Sequence, residues 1–164
     1  MAQITLKGNP VKTSGELPAV GDTITDFRLV ALDLSEKTIK DFAGKQKILN
    51  IYPSLDTPTC ALSVKNFHAK AGERGDVVVL NISADLPFAG KRFCGAEGIE
   101  NAEVLSTFRS GFGEDYGLMI TDGPLEGLLS RAVIVVDENN VVKHTEQVAE
   151  IADEPNYENA LGAL

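Results

Sequence analysis

Cysteine, histidine and positive charge are all scarce in this chain. There are two cysteines, Cys60 and Cys94, and two histidines, His68 and His144. The histidines lie far apart in the sequence, and no Cys-x-x-Cys is present, so a zinc site is poorly supported. Fifteen Lys and Arg face twenty-four Asp and Glu, for a net charge of -9. That balance argues against nucleic acid as a partner and fits a well-solvated surface. No apolar run approaches the roughly 18 residues that would span a bilayer. Met1 to Lys12 is polar and alternating, without the apolar core of a signal peptide. A soluble, intracellular, cytoplasmic protein is expected. The 164 residues are expected to form one domain, 1–164, and a 43% hydrophobic content suffices for a real core.

The stretch from Pro53 to Cys60, Pro-Ser-Leu-Asp-Thr-Pro-Thr-Cys, organises the rest. Before it, Ile48 to Tyr52 is an apolar run that reads as a buried strand. After it, about Thr59 to Glu73 reads as a helix, with an inward stripe at Ala61, Val64, Phe67 or His68, and Ala71. Thr57-Pro58 is a strong helix start, because threonine can cap and proline is tolerated at the first helical position. Cys60 then sits in the first turn, where unpaired N–H groups and the helix dipole favour an anion such as a thiolate. Thr57 can cap through its oxygen, or its hydrogen can point at the sulfur. A free cysteine is also often a small buried hydrophobe. The residues alone leave both readings of Cys60 open.

Along the rest of the chain, Ile4 to Lys7 and Val11 to Thr13 flank Gly8-Asn9-Pro10, an expected hairpin. Phe27 to Leu32 is an expected strand, and Thr38 to Phe42 a helical turn. Val77 to Ile82 is a second central strand, so strand, helix and strand suggest a parallel unit. Ser83 to Phe93 is expected to hold a loop and short helix, with Phe93 to Gly98 irregular. Val104 to Phe108 reads as a short strand or turn, and Phe112 to Tyr116 as a helical turn. Arg131 to Asp137 and Val141 to Val148 form a hairpin, and a last helix follows Glu154-Pro155. A central mixed sheet, flanking helices and an N-terminal hairpin in this order predict an α/β, thioredoxin-like fold.

The motif Pro53-x-x-x-Thr57-x-x-Cys60 resembles the active-site motif of the peroxiredoxins. The wider stretch Asn50 to Thr57 is similar to the bacterial thiol peroxidase subfamily of the atypical two-cysteine type. So are Ser83 to Ala89, Arg92 to Gly98, Leu105 to Arg109 and Asp122 to Leu125. The resemblance implies that Cys60 is the peroxidatic cysteine and Cys94 the resolving cysteine of the same chain. It implies that Thr57 bonds the thiolate and the peroxide, that Pro53 shields the site from water, and that Arg131 lies beside the sulfur. A surface ion pair at a strand end is the ordinary alternative for Arg131. Hydrogen peroxide and alkyl hydroperoxides are the implied substrates and thioredoxin the implied reductant. A homodimer is implied, and no metal, haem or flavin is needed.

The chemistry is a nucleophilic displacement at oxygen. A free thiol is only about 3% ionised at pH 7, so full ionisation gains at most about thirtyfold. Oriented donors on the peroxide must supply the remainder. Attack leaves a sulfenic acid, which a nearby thiol condenses to a disulfide. Two cysteines held in fixed helices can bond only if their Cα atoms come within about 7 Å. Gly95, Gly98 and Pro58 flank the two cysteines in segments that are expected to unwind for this. A peroxide sensor acting through a partner interface would share the early chemistry. A general disulfide oxidoreductase fits poorly without Cys-x-x-Cys.

Overall fold

The computed structural model describes residues 2–72 and 74–164. The expected end of the first long helix at Glu73 lies outside them. The structure is built on a strand, β5 (Gln46–Ile51), flanked by β6 (Val77–Ser83) in parallel and β8 (Ala132–Val136) antiparallel. The two shortest strands, β3 (Leu29–Val30) and β4 (Glu36–Lys37), close one edge through β7 (Glu103–Ser106), and β9 (Val142–Gln147) closes the other. The seven-stranded order is β4-β3-β7-β6-β5-β8-β9. A separate hairpin, β1 (Gln3–Leu6) and β2 (Asn9–Lys12), turns at Lys7 and Gly8, both at positive φ. This is the mixed sheet with an N-terminal hairpin that the thioredoxin-like reading anticipates.

Side chains alternate across β5, and each face has its own partners. Leu49 and Ile51 join Leu80, Ile82, Ile134 and Val136 in one core cluster, which includes Phe112 of α3 (Phe112–Asp115). Ile48 points to the opposite face, where Phe67 of α1 (Pro58–Ala71) and Ala160 of α4 (Tyr157–Gly162) cover it. Asn50 bonds to α1 on that face, and Tyr52 packs there too. Asn50 Nδ2 donates to Asn81 Oδ1 at 3.0 Å and Ser63 Oγ at 3.2 Å, and Ser63 Oγ donates to the Cys60 carbonyl at 2.8 Å. In the parallel register Asn50 lies opposite Asn81. This buried polar rung fixes how the first turn of α1 sits on the sheet.

The inward stripe of α1 differs from the expectation in its first turns. Cys60, Ser63, Val64, Phe67 and Ala71 are buried, while Ala61 is only partly so. The stripe is led by the cysteine and by a serine whose hydroxyl is satisfied internally, and polarity had disguised Ser63. A second correction concerns Phe93 to Gly98. It is not irregular: Pro87–Glu97 form a continuous helix, α2. Pro87 begins it, and Gly98, at φ 65, ends it in the left-handed conformation glycine favours. The strand expected over Phe27 to Leu32 shrinks to Leu29–Val30, because only β4 and one position of β7 pair with it.

Candidate active site

Cys60 is the third residue of α1 and is fully buried. Pro58 starts the helix, so the first turn has one fewer N–H group to satisfy. Thr57 is the N-cap by position, yet its side chain makes no cap bond. Its Oγ1 donates instead to the Ser54 carbonyl at 2.9 Å, so neither proposed use of the hydroxyl, helix cap or donor to sulfur, is realised in this state. The N–H groups of the opening turn keep their positive field near the sulfur.

Arg131 lies one residue before β8 and is only 2% exposed. Its Nη2 stands 3.2 Å from Cys60 Sγ, and its Nε donates to the Ile151 carbonyl at 2.7 Å. Its own carbonyl accepts from Val148 N at 3.0 Å and Gln147 Nε2 at 3.1 Å, which pins the backbone. Among the described residues no carboxylate pairs with this guanidinium, and its Nη1 is buried without a partner. A buried cation requires an anion, and the nearest group able to become one is the Cys60 sulfur. The surface ion pair that a strand-end arginine ordinarily makes is not found.

A cavity of about 480 Å³ opens beside Arg131. Pro53, Thr57 and Arg131 line it, with Leu6, Leu125 and Ile151 among its apolar walls. Pro53 itself is buried. The structure therefore brings Pro53, Thr57, Cys60 and Arg131 together.

Cys94 occupies the last turn of α2, and the N–H groups of Gly98 and Ile99 cap its carbonyl. It is 9% exposed, and burial pushes its thiol pKa up. Both cysteines are free thiols, and they share one apolar cluster with Tyr52, Leu55, Val64, Phe93 and Val104. Each sulfur belongs to an intact helix.

Several contributors were missed in the sequence. Asp85 ties the loop after β5 to the end of β6: it accepts from Ser54 Oγ at 2.7 Å, Leu55 N at 2.8 Å and Ser83 Oγ at 2.7 Å. Arg92 Nη2 bridges from α2 to Asp56 Oδ1 of the same loop at 2.5 Å. Glu150 accepts from Gly8 N and Ala152 N, both at 2.9 Å, and from Thr5 Oγ1 at 3.0 Å. It thereby anchors the segment whose Ile151 carbonyl holds Arg131. Asn50 and Asn81, polar residues at matching places in two apolar runs, were the one available signal for the buried rung.

Residues 19–161 match the Redoxin family. The chain is 56% identical to a thiol peroxidase of Mycobacterium tuberculosis over its whole length and 99% of the relative's. It is 53% identical to a thiol peroxidase of Corynebacterium glutamicum, again covering 100% of this chain and 99% of that one. Its fold superposes on a peroxiredoxin-like protein from Aquifex aeolicus with a TM-score of 0.92 at 38% identity, covering 99% of this chain and 95% of that one. With a cysteine at a helix start and a buried arginine on its sulfur, the chain belongs to the Redoxin family, among the thiol peroxidases, enzymes that reduce peroxides with a cysteine thiol.

Proposed function

We propose that Cys60 is the peroxidatic residue of this thiol peroxidase and Cys94 its resolving partner in the same chain. The observation that carries the reading is the buried Arg131 guanidinium, 3.2 Å from Cys60 Sγ and free of any carboxylate among the described residues. The Cys60 thiolate attacks one peroxide oxygen, the O–O bond breaks, and the other oxygen leaves as hydroxide or alkoxide. Arg131 holds the thiolate through Nη2 and offers Nη1 to the oxygen that gains charge. Thr57 serves the peroxide once it releases the Ser54 carbonyl, and Pro53 keeps water from the sulfur.

Hydrogen peroxide and alkyl hydroperoxides are the proposed substrates. The apolar walls of the adjoining cavity support the latter, since an alkyl tail gains by leaving water there. The sulfenic acid on Cys60 condenses with Cys94, and thioredoxin reduces the resulting disulfide. Both cysteines start within helices, so α1 or α2 unwinds at its cysteine end before the bond forms. No described helix is long and apolar enough to cross a membrane, and we place the protein in the cytoplasm, where thioredoxin keeps thiols reduced. A homodimer is proposed as the assembly. Phe88 and Phe108 are large, exposed apolar side chains of the kind an interface covers.

A coupled assay with thioredoxin, thioredoxin reductase and NADPH tests the function. Steady NADPH oxidation on adding peroxide, lost in Cys60→Ser, is the expected result. Stoichiometric peroxide consumption without turnover would instead favour a sensor.

A further inference from the structure

Tyr52 ends the apolar run that leads into the active-site loop, and its side chain is fully buried. It packs in the cluster that contains both Cys60 and Cys94. Its hydroxyl has no hydrogen-bond partner among the described residues. Ser83 and Asp85 flank it, but Ser83 Oγ already donates to Asp85 Oδ2 at 2.7 Å and accepts from Asp85 N at 3.2 Å. Burial and the nearby Asp85 carboxylate keep the phenol protonated, so it remains a donor. A phenylalanine would fill the same apolar space without the desolvation penalty of an unbonded hydroxyl. Ser83 stands beside the hydroxyl but forms no regular hydrogen bond with it, so the phenol proton is not committed to a strong acceptor in the dithiol state.

Of the two sulfurs in the cluster, Cys60 has a donor in Arg131. Cys94 has no hydrogen bond to its sulfur among the described residues, and burial disfavours its charged form. Yet Cys94 must act as a thiolate to resolve the sulfenic acid. We propose that the Tyr52 hydroxyl is the hydrogen-bond donor that Cys94 uses as it attacks Cys60. This inference rests on the peroxidase reading above. In the step, the Cys94 thiol gives up its proton and its sulfur bonds to the Cys60 sulfur. The S–O bond of the sulfenic acid breaks, and the departing hydroxide takes up a proton as water. A thiol and a sulfenic acid become a disulfide and water, with no outside oxidant. The phenol keeps its proton and positions the attacking sulfur as α1 or α2 unwinds.

The test is Tyr52→Phe, studied in one turnover of the reduced, full-length protein with one equivalent of hydrogen peroxide. Loss of the Cys60 thiolate is followed by stopped flow, and the sulfenic acid is trapped with dimedone and weighed by mass spectrometry. The first step is expected to keep its rate within about twofold. The second step is expected to slow by on the order of ten- to a hundredfold, the worth of a hydrogen bond to a charged group. Dimedone adduct and sulfinic acid at Cys60 should both rise. The variant should unfold at the same temperature as the wild type or higher, because it loses an unpaired buried hydroxyl. An unchanged second step, or equal slowing of both steps, overturns the proposal. If wild-type Cys60 does not react with peroxide at all, the peroxidase reading itself has failed.

Discussion

Arg131 and Cys60 meet inside the protein, Nη2 to Sγ at 3.2 Å, although their positions in the chain are far apart. The contact joins the start of a helix to the start of a strand, and the Ile151 carbonyl fixes the guanidinium from its other side. Arg131→Met should slow the peroxide step by on the order of a hundred- to a thousandfold, the loss seen when a preorganised donor is removed. Stability should fall by no more than about 3 kcal/mol, from the unmade bond to Ile151. Stopped-flow oxidation and thermal unfolding measure the two effects. A variant with wild-type oxidation kinetics would show that the arginine serves only the fold.

Ser63→Ala removes two of the three links of the buried rung, the donor to the Cys60 carbonyl and an acceptor of Asn50 Nδ2, and leaves the Asn50–Asn81 bond. A loss of about 1–3 kcal/mol in denaturant unfolding is expected. The opening turn of α1 should also exchange its amide hydrogens faster, since that turn loses an anchor. Amide exchange confined to the wild-type pattern would place the rung outside the control of that turn.

Asp56 and Arg92 bridge the active-site loop to α2 at 2.5 Å, but both side chains are largely exposed. Arg92→Ala should change stability by less than about 1 kcal/mol. Disulfide formation should quicken a few-fold, because α2 is then released more easily. High salt should narrow the difference between variant and wild type. Stopped-flow traces in low and high salt provide the check.

Glu150 gives the protein an acid-sensitive clamp. Hydrogen bonds from Ala152 N and Gly8 N, then from Lys7 and Thr5, hold its pKa at about 2, below its ordinary 4.5. The folded-state pKa is depressed, so the stabilisation is fully present above about pH 4.5 and is lost as pH falls toward 2. Glu150→Gln should remove that part of the pH dependence of unfolding. It should also weaken the peroxide step at neutral pH, since the anchored segment carries the Ile151 carbonyl that orients Arg131. A pH series of unfolding curves for both proteins decides the first point, and oxidation rates decide the second.

The central βαβ unit was legible because Ile48 to Tyr52 and Val77 to Ile82 are apolar runs around a Pro-started helix. Local chemistry was also enough to put Cys60 in the first helical turn. Only the first part of α2 was legible, as the short helix expected within Ser83 to Phe93: Gly95 and Gly98, just after Cys94, suggested a break, while tertiary packing sustains the helix to its Gly98 cap. In the structure Gly90 sits where a side chain would meet Leu32 and Val104, which accounts for its place in a helix. Arg131 could be linked to Cys60 only through the resemblance, because the contact depends on β8 lying antiparallel beside β5. The clamps at Asp85 and Glu150 depend on hydroxyl and backbone N–H donors brought together by the fold, and no spacing in the chain announces them.

The most direct test of the account is peptide mapping of the reduced, full-length protein after one equivalent of hydrogen peroxide, without added reductant. The expected product is a monomer lighter by two hydrogens, in which the Cys60 and Cys94 peptides are joined. Cys94→Ser should stop at a sulfenic acid on Cys60, and Cys60→Ser should remain unoxidised. A covalent dimer joined between chains, or a wild-type protein whose Cys60 stays a free thiol, would contradict the account.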